Sequence, residues 1–476
     1  MGVLMIDVVV VGGGPTGMML ACELRLAGVR TVVLERLAEP SGQSRALGLH
    51  VRSVEVLAQR GLLDRFVESS PRRGLGGHFA GVFKLRYDLL DTAHPFALGT
   101  PQATTERLLT ERALELGAEI RRGSAVTGLS QDEQGVTVEL ADGQQLRASY
   151  VVGCDGGRST VRGLLGVDFP GTPSQMDMVL ADVELTESPG EAPFGIRPNG
   201  VLGCFHLGDG LYRVTVNAAE VAADRSVPPT LAEIKQRLRE VAGTDFGAHS
   251  PRWISRFGNA SRQARRYRVG RVLLAGDAAH IHLPAGGQGL NLGLQDAFNL
   301  GWKLAAQVNG WAPEGLLDTY HSERHPVGAR VLENTRVQGQ LMRSESLRDF
   351  LSELLDQEDT CRYLTGMISA VDIRYEVGEG AHPLLGKRMR DVGLKSGRLY
   401  DLLRTGRGLL LDQTGRGLSV PGWADRVDVV AECGEELDAG AVLLRPDGHV
   451  VWVDGGPRDL EAVLRQWFGA PATLRR

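Results

Sequence analysis

Along the first third of the chain, apolar blocks alternate with glycine punctuation. Ile6 to Val11 is a β-branched run, Gly12 to Gly17 a turn, and Met18 to Leu26 an apolar helix stopped by Gly28. Thr31 to Leu34 returns as a second buried strand, so a parallel βαβ unit is predicted, with its ligand at the carboxyl ends of the strands. Further on, Ala118 to Gly135 and Val136 to Leu140 are predicted as strands, and Asp142-Gly143 turns the chain into a strand over Leu146 to Val152. From Phe169 to about Phe257 the runs are short and alternating, as in Tyr212 to Val216, with one helical piece near Leu231 to Val241. A mostly antiparallel sheet layered on the first domain is expected there. Val272 to Ala275 resumes the buried-strand pattern and leads into a helix over Leu294 to Val308. A long helical stretch from about Glu323 to Val371, with Pro326 near its start, bridges to a third segment. After Pro383 the β/α order and a Pro-Asp-Gly hairpin predict a small separate domain. The fold class is therefore α/β, built from more than one domain.

Composition narrows the function classes. The 476 residues carry 53 Lys plus Arg against 58 Asp plus Glu, a net charge of −5 that supplies no basic field for nucleic acid. Hydrophobic residues at 42% and charged residues at 23% match an ordinary globular protein, whereas 62 glycines point to tight βα turns and close backbone approach to a ligand. The five cysteines are scattered, form no CxxC pair, and read as free thiols in a reducing compartment. The amino terminus lacks the basic region of a leader, its apolar run breaks at Gly12, and Ile6 spoils a myristoylation pattern. A cytoplasmic protein with no membrane and no nucleic-acid partner is expected, as a monomer or homodimer.

Three motifs carry chemistry. VVVVGGGPTGMMLACEL places Gly12, Gly14 and Gly17 in a G-x-G-x-x-G between a strand and a helix. There the first glycine makes the turn, the second lets a pyrophosphate approach and the third lets helix and strand pack. Glu35 ends the next strand, where a carboxylate accepts from ribose hydroxyls and repels a 2′-phosphate, which suits the adenosine of FAD or NAD better than NADPH. The plain alternative is a glycine turn in an ordinary βαβ unit. VVGCDGGRSTVR follows a strand with Asp155, Gly156, Ser159 and Arg162; its plain alternative is a helix-capping Asp and a surface Arg. In RVLLAGDAAHIHLPAGGQGLNLG, Gly276-Asp277 ends a buried strand where a carboxylate can accept from a ribityl hydroxyl. Pro284 to Asn291 is a glycine-rich loop whose amides face a flavin's carbonyls and negative charge near N1.

In this order and at these intervals, the three motifs resemble those of the class A flavoprotein aromatic hydroxylases, with the para-hydroxybenzoate hydroxylase fold, over almost the whole chain. The resemblance implies a discontinuous Rossmann-type FAD-binding domain (1–170 and 258–322), a substrate-binding sheet (171–257), a helical connector (323–380) and a thioredoxin-like domain without CxxC (381–476). Because that last segment holds only Cys433, a packing or oligomerisation role is expected for it. The resemblance also implies FAD contacts at Gly12, Gly14, Pro15, Thr16, Gly17, Glu35, Arg36, Arg45, Gln102, Asp155, Gly276, Asp277, Pro284, Gly287, Gly289, Leu290 and Asn291. Arg45, Pro284 and Gly287 stand nearest the chemistry. It implies NAD(P)H as reductant, with NADPH favoured and the choice between NADPH and NADH left open, and O2 as oxidant through a C4a-hydroperoxyflavin that hydroxylates an electron-rich ring. No second glycine fingerprint exists for the nicotinamide, which fits a family that binds it transiently. HVRSVEVLAQRGLLDRF and LLRPDGHVVWV resemble, more closely, the actinobacterial polyketide hydroxylases and the rifamycin monooxygenases among them. An ansamycin naphthohydroquinone, whose hydroxylation leads to macrocycle opening and loss of the antibiotic, or another aromatic polyketide, is the implied substrate.

Arg197 and Arg213 are candidates for holding a phenolate or naphtholate oxygen, and Phe257 for an apolar wall; a surface charge or a core aromatic is the alternative for each. Arg45 either contacts a mobile flavin or is solvated or phosphate-paired. His280 and His282, two apart, point to opposite faces of an extended segment without a completing Cys or acid, so no metal site is expected. Trp302, Trp311, Met18 and Met19 read as core. An NAD-dependent dehydrogenase would need only the first motif, and Gly276-Asp277 argues against it; a non-catalytic flavin-binding protein would bind FAD without accepting hydride.

Overall fold

The computed structural model describes residues 6–70, 72–190, 194–197, 199–224 and 227–472. Residues 1–5, on which the leader and myristoylation readings partly rest, lie outside it.

Strand β1 (Ile6–Val11) holds Val8, Val9 and Val10 fully buried, because both faces of a parallel sheet are covered by helices. Helix α1 (Pro15–Leu26) follows, with Pro15 at a first-turn position where its missing N–H costs nothing. Then come β2 (Thr31–Glu35), α2 (Gln102–Glu115), β3 (Glu119–Arg122) and β4 (Gln145–Gly153). Strand β1 pairs in parallel with β2 and β4, and β2 with β3. The predicted single strand over 118–135 is in fact two. Left-handed Gly123 ends β3, and Val126–Gln131 then pairs antiparallel with Val136–Leu140 instead of continuing the parallel sheet.

The middle sheet contains β5 (Asp177–Glu184), β6 (Phe194–Arg197), β7 (Gly200–Gly208), β8 (Leu211–Asn217) and, after α3 (Leu231–Ala242), β9 (His249–Gly258). Its order is β6-β7-β8-β5-β9, antiparallel throughout. Helix α3, capped by Thr230 and ended by left-handed Gly243, packs Ile234, Leu238 and Val241 on Val179, Ala181, Val183, Val214 and Val216. The alternate residues Met178, Leu180 and Asp182 therefore face away from α3.

The chain re-enters the first sheet at β10 (Val272–Leu274), parallel to β4, and runs into the 21-residue helix α4 (Gln288–Val308), which lies against α1. The predicted continuous helix over 323–371 is three: α5 (Thr319–Leu341), α6 (Glu345–Leu354) and α7 (Glu358–Ser369). Helix α5 begins a turn earlier than expected and carries Pro326 inside it, and Ser344 starts a new helix by accepting from the Leu347 amide. These helices pack on the first domain rather than bridging away from it.

The last segment has β11 (Gly408–Asp412), β12 (Val427–Ala431), β13 (Ala441–Leu444), β14 (Val450–Val453) and α8 (Leu460–Phe468), in sheet order β12-β11-β13-β14 with only β11 and β12 parallel. This segment packs closely on the first domain, because Trp302 and Ala306 of α4 belong to its core. Arg445 also crosses the boundary, donating to both Glu323 oxygens at 2.6 and 3.0 Å, while Lys303 reaches Glu323 at 2.7 Å. All five cysteines are unpaired, and among the described residues no helix is long and apolar enough to cross a membrane.

Candidate FAD site and the face above it

At the amino end of α1 the three motif glycines do different work. A Cβ on Gly12, at φ +110°, would stand 2.4 Å from the Cys154 carbonyl, and one on Gly17 would stand 2.0 Å from the Gly12 carbonyl, so both positions exclude a side chain. A Cβ on Gly14 would meet nothing within 4 Å. That side of the turn is open, at an uncapped helix terminus with no acid in its first turn, as a pyrophosphate requires. Glu35 stands at the end of β2 and accepts from the Gly13 and Leu37 amides, both at 2.8 Å, which fixes its carboxylate beside the turn with lone pairs left for ribose. Arg36, next to it, is exposed. Thr16 packs so tightly against Gly276 and Gly293 that a Cβ on either would come within 2.6 and 2.3 Å of its Oγ1, which joins the first motif to the third.

Arg45 is exposed, but its backbone is pinned to the start of α2. Ser44 Oγ accepts from the Ala103 amide at 3.0 Å, and the Gln102 amide donates to the Ala46 carbonyl at 2.9 Å. The Gln102 side chain is spent on the Ala46 amide and on Glu106. Burial raises the Glu106 carboxyl, which also feels the charges of Glu35, Arg122 and Arg45, so the structure gathers these residues at one edge.

Asp155 does not point a free carboxylate at this edge. Its oxygens accept from Ser159 Oγ at 2.5 Å and the Val161 amide at 3.1 Å, and Ser159 caps the helix Thr160–Leu164. The N-cap is therefore Ser159 rather than Asp155, and the Asp155 carboxylate braces that cap and the first turn of the helix. Arg162 is no surface residue: it donates to the Ala278 and Gly157 carbonyls at 2.9 Å and stacks 3.8 Å above the Phe169 ring, tying the second motif to the Asp277 turn.

Asp277 is exposed and receives no hydrogen bond from any described residue, so its carboxylate is available to a hydroxyl. The turn beneath it rests on Asp296. The Gly276 amide donates to Asp296 Oδ2 at 3.1 Å, His280 Nε2 lies 2.6 Å from the same oxygen, and Arg324 Nε donates to Oδ1 at 2.7 Å. Burial by itself would raise the Asp296 carboxyl, but Arg324 and His280 outweigh it and hold it below the usual range. Asp296 and Arg324 escaped the sequence reading; the signal was a run of charged and amide side chains, Asp296 with Gln295, Asn299 and Lys303, inside a helix that is buried almost all round.

The loop before α4 turns through two left-handed glycines, Gly286 at φ +71° and Gly287 at φ +65°, which exposes Pro284 and Gly287 and leaves the first amides of α4 uncapped. Asn291 is buried. It accepts from the His50 amide at 2.8 Å and donates to the Gly287 carbonyl at 3.0 Å, so its side chain holds the loop rather than a ligand. His50 Nδ1 lies 3.0 Å from the Ile368 carbonyl, and burial pushes this imidazole down to about 4, so it is neutral. His282 Nδ1 lies 2.8 Å from the Leu283 carbonyl, so the two neighbouring histidines have unrelated partners.

On the middle sheet, Phe257 opposes Met178, and Arg213 and Trp253 oppose Asp182, all on the face turned away from α3. Arg213 is 3% exposed and donates from Nε and Nη2 to the two Asp182 oxygens at 2.8 and 2.9 Å, with Trp253 Nε1 adding a bond at 2.7 Å. Its charge is already balanced, so the expectation that it holds a phenolate is corrected. A further donor, Nη1, goes to the Arg45 carbonyl at 3.3 Å, which links the sheet to the Arg45 loop. Arg197 is exposed on the edge strand opposite Gly200, in register with the helix-covered side and apart from Phe257.

Uncapped helix ends, an unpaired Asp277 and an open Gly14 form a cradle for a dinucleotide that carries phosphates, hydroxyls and a ring with carbonyls; these residues fit FAD. Residues 5–335 match the profile of an FAD binding domain, and residues 382–471 that of the carboxyl-terminal region of aromatic-ring hydroxylases. The rifampicin monooxygenase of Streptomyces venezuelae is 62% identical, covering 98% of this chain and 99% of that one, and that of Rhodococcus hoagii is 53% identical, covering 99% and 100%. The solved structure of the anhydrotetracycline hydroxylase OxyS from Streptomyces rimosus superposes with a TM-score of 0.91 at 49% identity, covering 98% of this chain and 100% of that one.

Proposed function

The chain belongs to the FAD-binding aromatic-ring hydroxylases, and on that premise we propose that it hydroxylates the naphthohydroquinone ring of a rifamycin, at the expense of NADPH and O2. FAD, when bound, supplies the two-electron activation of dioxygen that no side chain can perform. The open Gly14 turn and the α1 amides hold its pyrophosphate, Glu35 its adenosine ribose, and Asp277 its ribityl hydroxyls. The first amides of α4, from Gln288 to Leu290, face the ring carbonyls, where the helix dipole stabilises negative charge. Arg45, exposed on a pinned backbone, supplies positive charge at the flavin edge. The face carrying Phe257, Met178 and Leu180 covers the reacting ring and excludes water from it.

The observation that carries this reading is the unpaired Asp277 carboxylate set between two uncapped helix ends, in a chain that is 62% identical to a rifampicin monooxygenase over nearly its full length. The likeness to the anhydrotetracycline hydroxylase supports a second reading, a tailoring hydroxylase acting on an aromatic polyketide. The sheet order β12-β11-β13-β14 with one parallel pair supports a thioredoxin-like ancestry for the last segment, and its buried Arg445–Glu323 ion pair to α5, with Trp302 and Ala306 of α4 in its core, supports a packing role.

The test is NADPH oxidation by the purified yellow protein in air, with and without rifampicin, followed by mass spectrometry. Stimulated oxidation with a product heavier by one oxygen is expected. A flavin that NADPH reduces but rifampicin never stimulates would move the assignment to a biosynthetic polyketide.

A further inference from the structure

The face of the middle sheet turned away from α3 presents its side chains in cross-strand rows, and most of their polar groups are already spent. In the row of Arg213, Asp182 and Trp253 the charges and the indole N–H satisfy one another. In the row through Met178, Asn217 accepts from the Val201 amide at 2.5 Å and donates to Met176 Sδ at 3.0 Å. Between the two lies a third row, in which Thr215 of β8 and Ser255 of β9 stand in register on either side of Leu180. Both are half-buried, neither hydroxyl bonds to any described residue, and neither oxygen is closed off from the surface. Across these three rows they are the hydrogen-bonding groups left unused among the described residues.

The position of that row suits a substrate held over the flavin. One row away, about 7 Å along the strands, Arg213 donates to the Arg45 carbonyl. In the other direction the chain leaves β9, and Arg262 and Gln263 pair with Ile281 and His280, just after Asp277. The two hydroxyls therefore lie between the segments that frame the flavin cradle. A Cβ on Gly203, the neighbour of Thr215 in β7, would come within 3.0 Å of the Phe205 ring, so that ring lies across the strand and closes the row on one side with an apolar edge.

Strands β8 and β9 flank β5, so the two hydroxyls stand two strand spacings, roughly 10 Å, apart. A hydrogen bond of about 2.8 Å to each leaves roughly 4–6 Å between the ligand's own oxygens when it bridges them over Leu180. Oxygens para to one another on a six-membered ring have that separation; oxygens on adjacent carbons, or on the same edge of two fused rings, fall short of it. We propose that Thr215 and Ser255 bind and orient the substrate, and that this substrate carries para-related oxygens, as a 1,4-hydroquinone within a fused aromatic system does, lying across Leu180 with one oxygen on each hydroxyl. The proposal rests on the hydroxylase reading above and narrows it, because a naphthohydroquinone engages both hydroxyls whereas a polyketide ring with its oxygens along one edge engages only one.

The test is calorimetric titration of the holoenzyme, under argon and without NADPH, with 1,4-dihydroxynaphthalene, 1,8-dihydroxynaphthalene and 1-naphthol. The wild type should bind the 1,4-diol roughly five- to tenfold more tightly than either of the others, the worth of a second hydrogen bond. Thr215→Val and Ser255→Ala each leave a single hydroxyl, so in both the 1,4-diol should fall to within about twofold of 1-naphthol. Thr215→Ser restores the hydroxyl and should keep the preference. Retained FAD absorbance shows that a variant is folded; if Thr215→Val does not fold, Ser255→Ala decides. A wild type that binds none of the three, or shows no preference for the 1,4-diol, would overturn the para-oxygen class, and a preference that survives in the single variants would overturn the hydroxyl pair. Failure of the rifamycin reading is a separate result, because the titration consumes no NADPH: a protein that prefers the 1,4-diol through both hydroxyls but yields no oxygenated rifampicin keeps the pair and loses that antibiotic as substrate.

Discussion

Two aspartates at the third motif make a paired prediction, because one faces outward and the other holds the turn from below. Asp277 is exposed and unbonded within the described chain, so Asp277→Ala should leave unfolding of the apoprotein within about 0.5 kcal/mol of wild type. It removes one or two hydrogen bonds from hydroxyls to a carboxylate, worth about 1.5–3 kcal/mol, and so should weaken FAD roughly ten- to hundredfold. Asp296 is fully buried, with Arg324 and His280 against it and the Gly276 amide on it. Asp296→Asn keeps the shape but strands the Arg324 guanidinium, and breaking a buried pair costs about 3–5 kcal/mol. It should therefore lower both apoprotein stability and FAD affinity. Urea unfolding of apoprotein and fluorescence titration with FAD separate the two effects. The pH dependence has a definite sign. Because the Asp296 carboxyl is held below its unfolded value, its contribution is present above the unfolded pKa and lost as pH falls through the folded one. The gap between wild type and Asp296→Asn should be full at pH 6 and close in strong acid. Equal stability of the two proteins at pH 6, or an Asp277→Ala protein that binds FAD like wild type, would refute the assigned division of labour.

Arg213→Met should destabilise the protein by about 3–5 kcal/mol by leaving Asp182 buried and uncompensated, and the double change with Asp182→Leu should recover part of that loss; a single variant as stable as wild type would show that the pair carries little. Arg45→Ala should slow flavin reduction by NADPH about tenfold with the fold intact, and unchanged stopped-flow reduction would remove Arg45 from the flavin edge. Burial would raise the Glu323 carboxyl, but Arg445 and Lys303 bring it down to about 2, so its stabilisation of the junction between α5 and the last segment should be complete above its unfolded pKa and fade between about pH 4.5 and 2. Hydrogen exchange in β13 measured down that range should show protection falling, and flat protection would contradict it. The same exchange at pH 7 in Arg445→Met should already be fast.

The parallel βαβ start, the antiparallel middle sheet with its helix near 231–241, and the three glycine-marked turns were all readable because each depends on neighbours a few residues apart. Period-two and period-3.6 patterning, left-handed glycines and a carboxylate at a strand end are local properties, and they put Gly12, Gly14 and Gly17 at the turn from β1 into α1, Glu35 at the end of β2 and Asp277 at the turn after β10, where the structure has them. What local pattern could not decide was which charge answers which. Arg213 and Asp182 sit 31 residues apart and meet because β8 lies beside β5 in a fixed register; before that pairing is known, a buried arginine looks like a ligand-binding one. Asp155 likewise spends its carboxylate on Ser159 and Val161. Arg197 falls on the helix-covered side because strand alternation and register, not composition, assign faces. How tightly the last segment packs on the first domain was hidden for the same reason: Glu323 and Arg445, 122 residues apart, stay charged in the interior only because folding brings them within 2.6 Å. The sequence thus determined the elements and the chemistry on offer. The tertiary structure decided which groups cancel inside the protein and which, like Asp277, are left over for a ligand, because a charge in a low-dielectric interior is defined by its partner.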